Sequence, residues 1–219
     1  MMILLIGKHH SEFFSYFTYK ADSLRKEPDY REKWKMAFKA ALAKDGINAT
    51  NFPYRHSTFF IYKDFASKAI TTFDDINREG YKYTDTLDAQ QWEITDSMKT
   101  ILDYQCIKAE ADYHGRHWIA WFATDIPVVN GPWKLGGLPG LIIEAYDTRN
   151  EHHFLLNGLQ RISNVPIDKM NGKYKSTTRL SFLKAERKSL EETAGQLSEL
   201  AGENFGKTKI NRDLLETDY

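Results

Sequence analysis

Six histidines fall into three close groupings, His9-His10, His114-x-x-His117 and His152-His153, the arrangement a metal site would use first. The geometry argues against it. Adjacent residues on a strand point to opposite faces, so each pair offers one ligand per face, and an i, i+3 pair across a turn diverges. No His-Glu-x-x-His and no cysteine pair is present, so no metal and no cofactor is assigned. Cys106 as a nucleophile would need a base and an electropositive, open setting. Its alternation with Leu102 and Tyr104 instead predicts a small buried hydrophobe. Gly136 to Gly140 is not a phosphate cradle, because the Gly-Lys-Ser/Thr ending is missing and Pro139 removes a backbone donor.

Two constellations remain. Asp125 and Glu144 flank a Gly/Pro-rich loop and could act as an acid and base pair. Arg116 stands near Trp118, Trp121 and Trp133, and a guanidinium beside indole faces can stack on them or clamp a carboxylate. The plainer reading is that Arg116 pairs with Asp125 or caps a carbonyl. The candidate binding surface is therefore Arg116, Trp118, Trp121, Asp125, Trp133, Leu138 and Pro139, with no catalytic and no metal residue assigned.

These residues need elements to hold them. From about 57 to 163, runs of β-branched and aromatic residues alternate with Gly, Asp, Asn and Pro about every ten residues, the pattern of an antiparallel meander. Candidate strands cover 58–65, 68–73, 81–87, 91–95, 100–110, 117–123, 141–147 and 152–162, with a tight hairpin at Tyr113-His114-Gly115-Arg116. Between the sixth and seventh of these, Pro127, Pro132 and Pro139 fix φ while four glycines relax it, predicting a stiff, shaped loop pinned by Trp133, Leu135 and Leu138.

Outside the meander, Met1 to Gly7 reads as a further strand. Asp29-Tyr-Arg-Glu32 forms a capping box ahead of Trp34, Phe38, Ala41 and Leu42, and Gly46 closes that helix, which is expected to pack on the sheet. Helical spacing returns from Thr177 to about Leu200, with Leu183, Leu190, Ala194, Leu197 and Ala201 on one stripe, followed by a mobile polar tail from Gly202. The expected fold is mainly β (α+β): a curved antiparallel sheet closed or half-closed into a barrel, lipocalin-like or lipoprotein-carrier-like, with an inserted amphipathic helix and a C-terminal helix. Residues 1–165 form one domain with the insertion near 29–45, and 166–219 a helical extension and tail.

Composition narrows function by exclusion. Thirty basic residues balance thirty acidic ones, which sets nucleic acid aside as a partner. No segment approaches the roughly 18 apolar residues that read as a membrane span. The start lacks the basic flank and cleavage site of a signal peptide. Aromatic residues at 14% suit a hydrophobic or peptide ligand.

The loop also carries a resemblance. Gly137-Leu-Pro-Gly-Leu-Ile142 spells the string that names the bacterial GLPGLI family, with Gly131-Pro-Trp133 ahead of it. Trp92-Glu-Ile94, Ile101, Tyr104, Cys106 and Lys108-Ala109 lie further upstream. On these residues the chain resembles that family from about Ile6 to Ile162. The resemblance implies an exported protein of the periplasm or cell envelope, mostly of unknown function, with no catalytic residue to carry over. The expected function is a non-enzymatic extracytoplasmic ligand-binding or envelope-accessory protein; the alternative is a hydrolase or metal-binding protein using the loop from Asp125 to Ile142. Family members carry an export signal and a further strand ahead of the segment like Leu5 to Phe14, so the edge near Ile3 to Ile6 is expected to be unpaired and open to edge-strand dimers.

Overall fold

The computed structural model describes residues 1–46, 52–163, 165–167, 169–201 and 214–218. Their strands build two open, antiparallel-rich sheets. The first has the order β1 (Met2–Ile6), β2 (His10–Ser15), β3 (Phe60–Asp64), β4 (Ala69–Ile76), β5 (Glu79–Thr86) and β11 (Lys175–Ser176). The second runs β10 (His153–Leu155), β9 (Leu141–Asp147), β8 (Arg116–Ala123), β7 (Tyr104–Tyr113) and β6 (Glu93–Ile101). Among the strands of the described residues only β11, on β5, pairs in parallel, and an isolated parallel bridge joins Asn130 to Leu141.

The expected barrel does not close: among the described residues no pairing joins the two sheets, and each keeps two outer strands. The meander breaks after β5, where Leu87 turns inward and Asp88 takes φ 55°. The two sheets instead share one core. Phe13, Ile61 and Ile70 come from the first, Ala109, Trp118, Ala120, Phe122 and Ala145 from the second. Ring contacts such as Phe13–Phe154 at 5.7 Å and Trp118–Trp133 at 5.5 Å fill the space that a barrel of this size would leave to ligand or solvent.

Three hairpins use two-residue turns with positive φ at both central positions: Asn77-Arg78, Leu102-Asp103 and His114-Gly115. Such turns match the right-handed twist of the flanking strands. The last is the one expected from sequence. Leu102 and Asp103 turn the chain inside the strand expected at 100–110, so β6 ends at Ile101 and β7 begins at Tyr104; β6 also runs through the gap expected between 95 and 100, with a register irregularity between Ile94 and Met98. The strand expected at 152–162 is only β10, and β2 is a strand that sequence analysis did not assign.

Helices α1 (Tyr16–Arg25) and α2 (Tyr30–Asp45) lie between β2 and β3. Gly46 closes α2 with φ 68°, but Asp29 makes no side-chain cap and pairs with Lys33 at 3.0 Å. Rather than lying on a sheet, α2 stacks Trp34 on Phe38 and Phe38 on Phe52, with Tyr54 tilted or edge-on against all three, a satellite aromatic cluster beside α1. The C-terminal helix α3 (Arg179–Ala201) packs Phe182 and Leu183 on Tyr83. No helix among the described residues is long and apolar enough to cross a membrane. Of the tail expected to be mobile, residues 202–213 and 219 lie outside the described residues, while Leu214 and Glu216 are buried.

Candidate functional site

The loop from Asp125 to Ile142 is held from within by a lysine. Lys63 points inward from β3, and its ammonium donates to Asn130 Oδ1 at 3.0 Å, Gly131 O at 2.9 Å and Leu135 O at 2.6 Å. Burial pushes its pKa down to about 7, with Asp88 opposing. Around that anchor the motif residues are packing elements. Trp133, Leu135 and Leu138 are core side chains, and a Cβ on Gly140 would stand 2.2 Å from Ala123 O. Asp125 and Pro139 are exposed.

Arg116 does not meet Asp125. Its side chain is buried, and it donates to Asp147 at 2.8 Å, Glu151 at 2.7 Å, Leu215 O at 3.1 Å and Leu214 O. The tail's return places its carbonyls over the hairpin, a long-range contact with no sequence signal. Burial alone would raise the Asp147 pKa, but the N–H groups of His152 and Glu151 and the Arg116 guanidinium outweigh it and hold the carboxyl below its usual value. Trp118 is wholly buried beside Trp133, whereas Trp121 packs on the other face of β8 with Lys99 4.3 Å from its ring. The structure thus divides the candidate surface among the core, a buried ion network and two exposed loop positions. Cys106 is buried, and burial raises its pKa.

Four titratable clusters merit a chemical test. Asp85, His114 and Glu216 bring one ligand atom each to within 4.8 Å of one another, a group that could hold a metal. The Lys134 ammonium already sits there, 2.6 Å from Asp85 and 2.5 Å from Glu216, and Arg179 also pairs with Glu216, so the negative charge is met from within the chain. On the outer face of the second sheet, Glu144 accepts from His153 at 2.8 Å and pairs with Lys99. His117 bridges Glu110 and Asp112 at 3.2 and 2.8 Å. On the first sheet, a 210 Å³ recess is lined by Asp74, Asp75, Arg55 and Tyr174. Burial lifts the Asp74 pKa to about 6 despite a 2.5 Å bond from Thr58 Oγ1.

A larger cavity lies elsewhere. An 830 Å³ cleft opens between the end of β1, the stretch Ile126–Val129 and residues 159–162, 165 and 167. Val129, Leu159, Ile162 and Val165 are each about half exposed at its walls, at 54, 56, 49 and 48%. Lys8, Lys68 and Arg161 stand at its rim with a single carboxylate, Asp88. Sequence analysis missed this site. Its one local signal is the i, i+3, i+6 spacing of Leu159, Ile162 and Val165, apolar residues in a segment that does not form the expected strand.

Fold and cleft together define a two-sheet β domain with an apolar, cation-rimmed groove. Residues 16–184 match the family described as N-glycanase peptide, N-terminal domain, and the chain belongs to that family. Among solved structures it is similar to PNGF-II in its P21 crystal form, with TM-score 0.57 and 16% identity over 86% of this chain and 30% of that one. The C2 form gives TM-score 0.55 and 17% identity over the same shares, 86% and 30%. The chain thus spans about 30% of the length of those structures. No curated protein matches it.

This membership corrects the GLPGLI resemblance and, with it, the expectation of a non-enzymatic envelope-accessory protein. The hexamer was a poor guide because its residues answer local packing demands: Gly140 lies against the Ala123 carbonyl, and Leu138, Leu141 and Ile142 enter the core.

Proposed function

We propose that this chain takes part in the removal of N-linked glycans from glycoproteins, and that the cleft beside β1 is where it engages the glycoprotein. The observation that carries the reading is the cleft itself. Its 830 Å³ falls within the roughly 300–1,000 Å³ of ligand sites, and its exposed aliphatic walls form a contiguous apolar surface of the kind that marks interaction sites. The family description supplies the reaction. Three of the four titratable clusters are satisfied internally, by Lys134, by Lys99 with His153, and by His117, which favours substrate engagement over acid–base chemistry as this domain's share in the reaction.

One observation favours a second reading, in which the chain also performs chemistry: Asp74, its pKa raised to about 6 by burial, is mostly ionised at neutral pH and suited to accept a proton there. A single set of measurements separates the two. The chain is titrated against an immobilised denatured N-glycoprotein, and glycan release is followed by mass spectrometry. Engagement predicts saturable binding that Ile162→Asp weakens at least tenfold; binding unchanged by that substitution, or none at all, overturns it. Glycan release by the chain alone that Asp74→Asn abolishes establishes the second reading.

A further inference from the structure

The backbone of β1 says more about what the cleft takes. Tyr16 N donates to Met1 O and Gly7 N to His10 O, so the odd-numbered positions of β1 are the hydrogen-bonded partners of β2. Because antiparallel ladders alternate with period two, the N–H and C=O groups of Leu4 and Ile6 point away from β2. Both residues line the cleft, and among the described residues no backbone hydrogen bond outside the β1–β2 ladder takes those groups. An outer strand with free amides beside an apolar groove is a template for strand addition.

Resting on the glycoprotein reading above, we propose that the cleft binds the polypeptide part of the substrate, as an extended segment of alternating apolar and acidic residues added to the outer edge of β1. The apolar side chains enter between Ile126, Val129, Leu159 and Ile162, and the acidic ones meet Lys8, Lys68 and Arg161. None of these three cations has an ion pair among the described residues, and Asp88 is the only carboxylate beside them, so the rim selects negative charge. The glycan stays outside, because sugar hydroxyls buried against aliphatic walls would lose their hydrogen bonds to water without replacement. The strand residues Leu4 to Ile6 that line the cleft span about 10 Å, the length of three residues of an added strand.

The test uses three nine-residue peptides of alternating Val and Glu, followed by fluorescence anisotropy. One is unmodified, and each of the others is N-methylated on one alternate set of amides. Strand addition predicts that one methylated peptide loses at least tenfold in affinity while the other keeps it, and that Lys68→Glu with Arg161→Glu weakens the unmodified peptide by at least tenfold. Equal binding of both methylated peptides, or indifference to charge reversal, overturns the inference. So does a β1-mediated dimer that excludes the peptide in sedimentation, since a second copy then holds the edge. Immobilised N-glycoprotein that binds while no peptide does leaves the glycoprotein reading standing and this inference refuted. Peptide binding without glycoprotein binding refutes the glycoprotein reading and leaves strand addition in place.

Discussion

Replacing Arg116 with Met removes a buried charge while retaining most of the side chain's bulk. Both sides of the Arg116–Asp147 pair are shut from solvent, with side-chain exposures of 0 and 1%. Breaking such a pair costs about 3–5 kcal/mol, chiefly because the surviving charge is left buried alone. Asp147 keeps its bonds from the N–H groups of Glu151 and His152, which places the loss toward the lower end, while the Leu215 carbonyl loses a donor, which raises it. At about 2–4 °C per kcal/mol for a chain of this size, the melting temperature should fall by roughly 6–20 °C. Calorimetry at pH 7 measures this directly. The gap between parent and variant should also narrow in acid. Asp147 titrates below its ordinary value in the folded protein, so its stabilising contribution is present above about pH 4 and is lost as pH falls through the folded pKa. Asp147→Asn added to Arg116→Met should recover part of the loss. A variant melting within about 2 °C of the parent, less than 1 kcal/mol, would refute the account of Arg116 as the anchor that ties the hairpin to the tail.

Three further outcomes follow from the same contacts. Lys134→Ala removes the ammonium between Asp85 and Glu216 and leaves Asp85, His114 and Glu216 as a vacant set, so the variant should be destabilised yet gain a zinc-dependent rise in melting temperature that the parent lacks. Gly115→Ala would put a Cβ 2.4 Å from Thr217 Oγ1 at φ 78°, and should lower stability by more than about 1 kcal/mol while speeding proteolysis of the docked tail. Lys63, with its pKa drawn down to about 7, is a burden on the fold that is greatest below pH 7 and is relieved as pH rises toward the ordinary lysine value. The stability of the parent relative to Lys63→Met should therefore climb from pH 7 to pH 10, and a flat difference in denaturant titrations would count against it.

Local pattern located β3 to β5, β8, β9, the His114-Gly115 hairpin, α2 and α3, because each depends on side-chain period or glycine placement within a few residues. It missed the turn at Leu102-Asp103, so Cys106 is buried without the strand alternation with Leu102 that suggested it. Pattern could not tell a barrel from two stacked sheets. That choice rests on whether the outer strands meet, a matter of twist and of how Trp118, Trp133 and Phe122 fill the interior. It also left the site unseen. The cleft takes its walls from residues 4–8, 65, 68, 87–88, 126–129, 141, 159–162, 165 and 167, and no local window contains them. Trp118, Trp133 and Leu138 looked like surface candidates by their company in sequence, but burial is decided by what packs over a residue from elsewhere in the chain. Arg116 and Lys134 find their carboxylates and carbonyls 31 to 99 positions away, so the ion pairs that clamp the loop and tail exist only once the chain has folded.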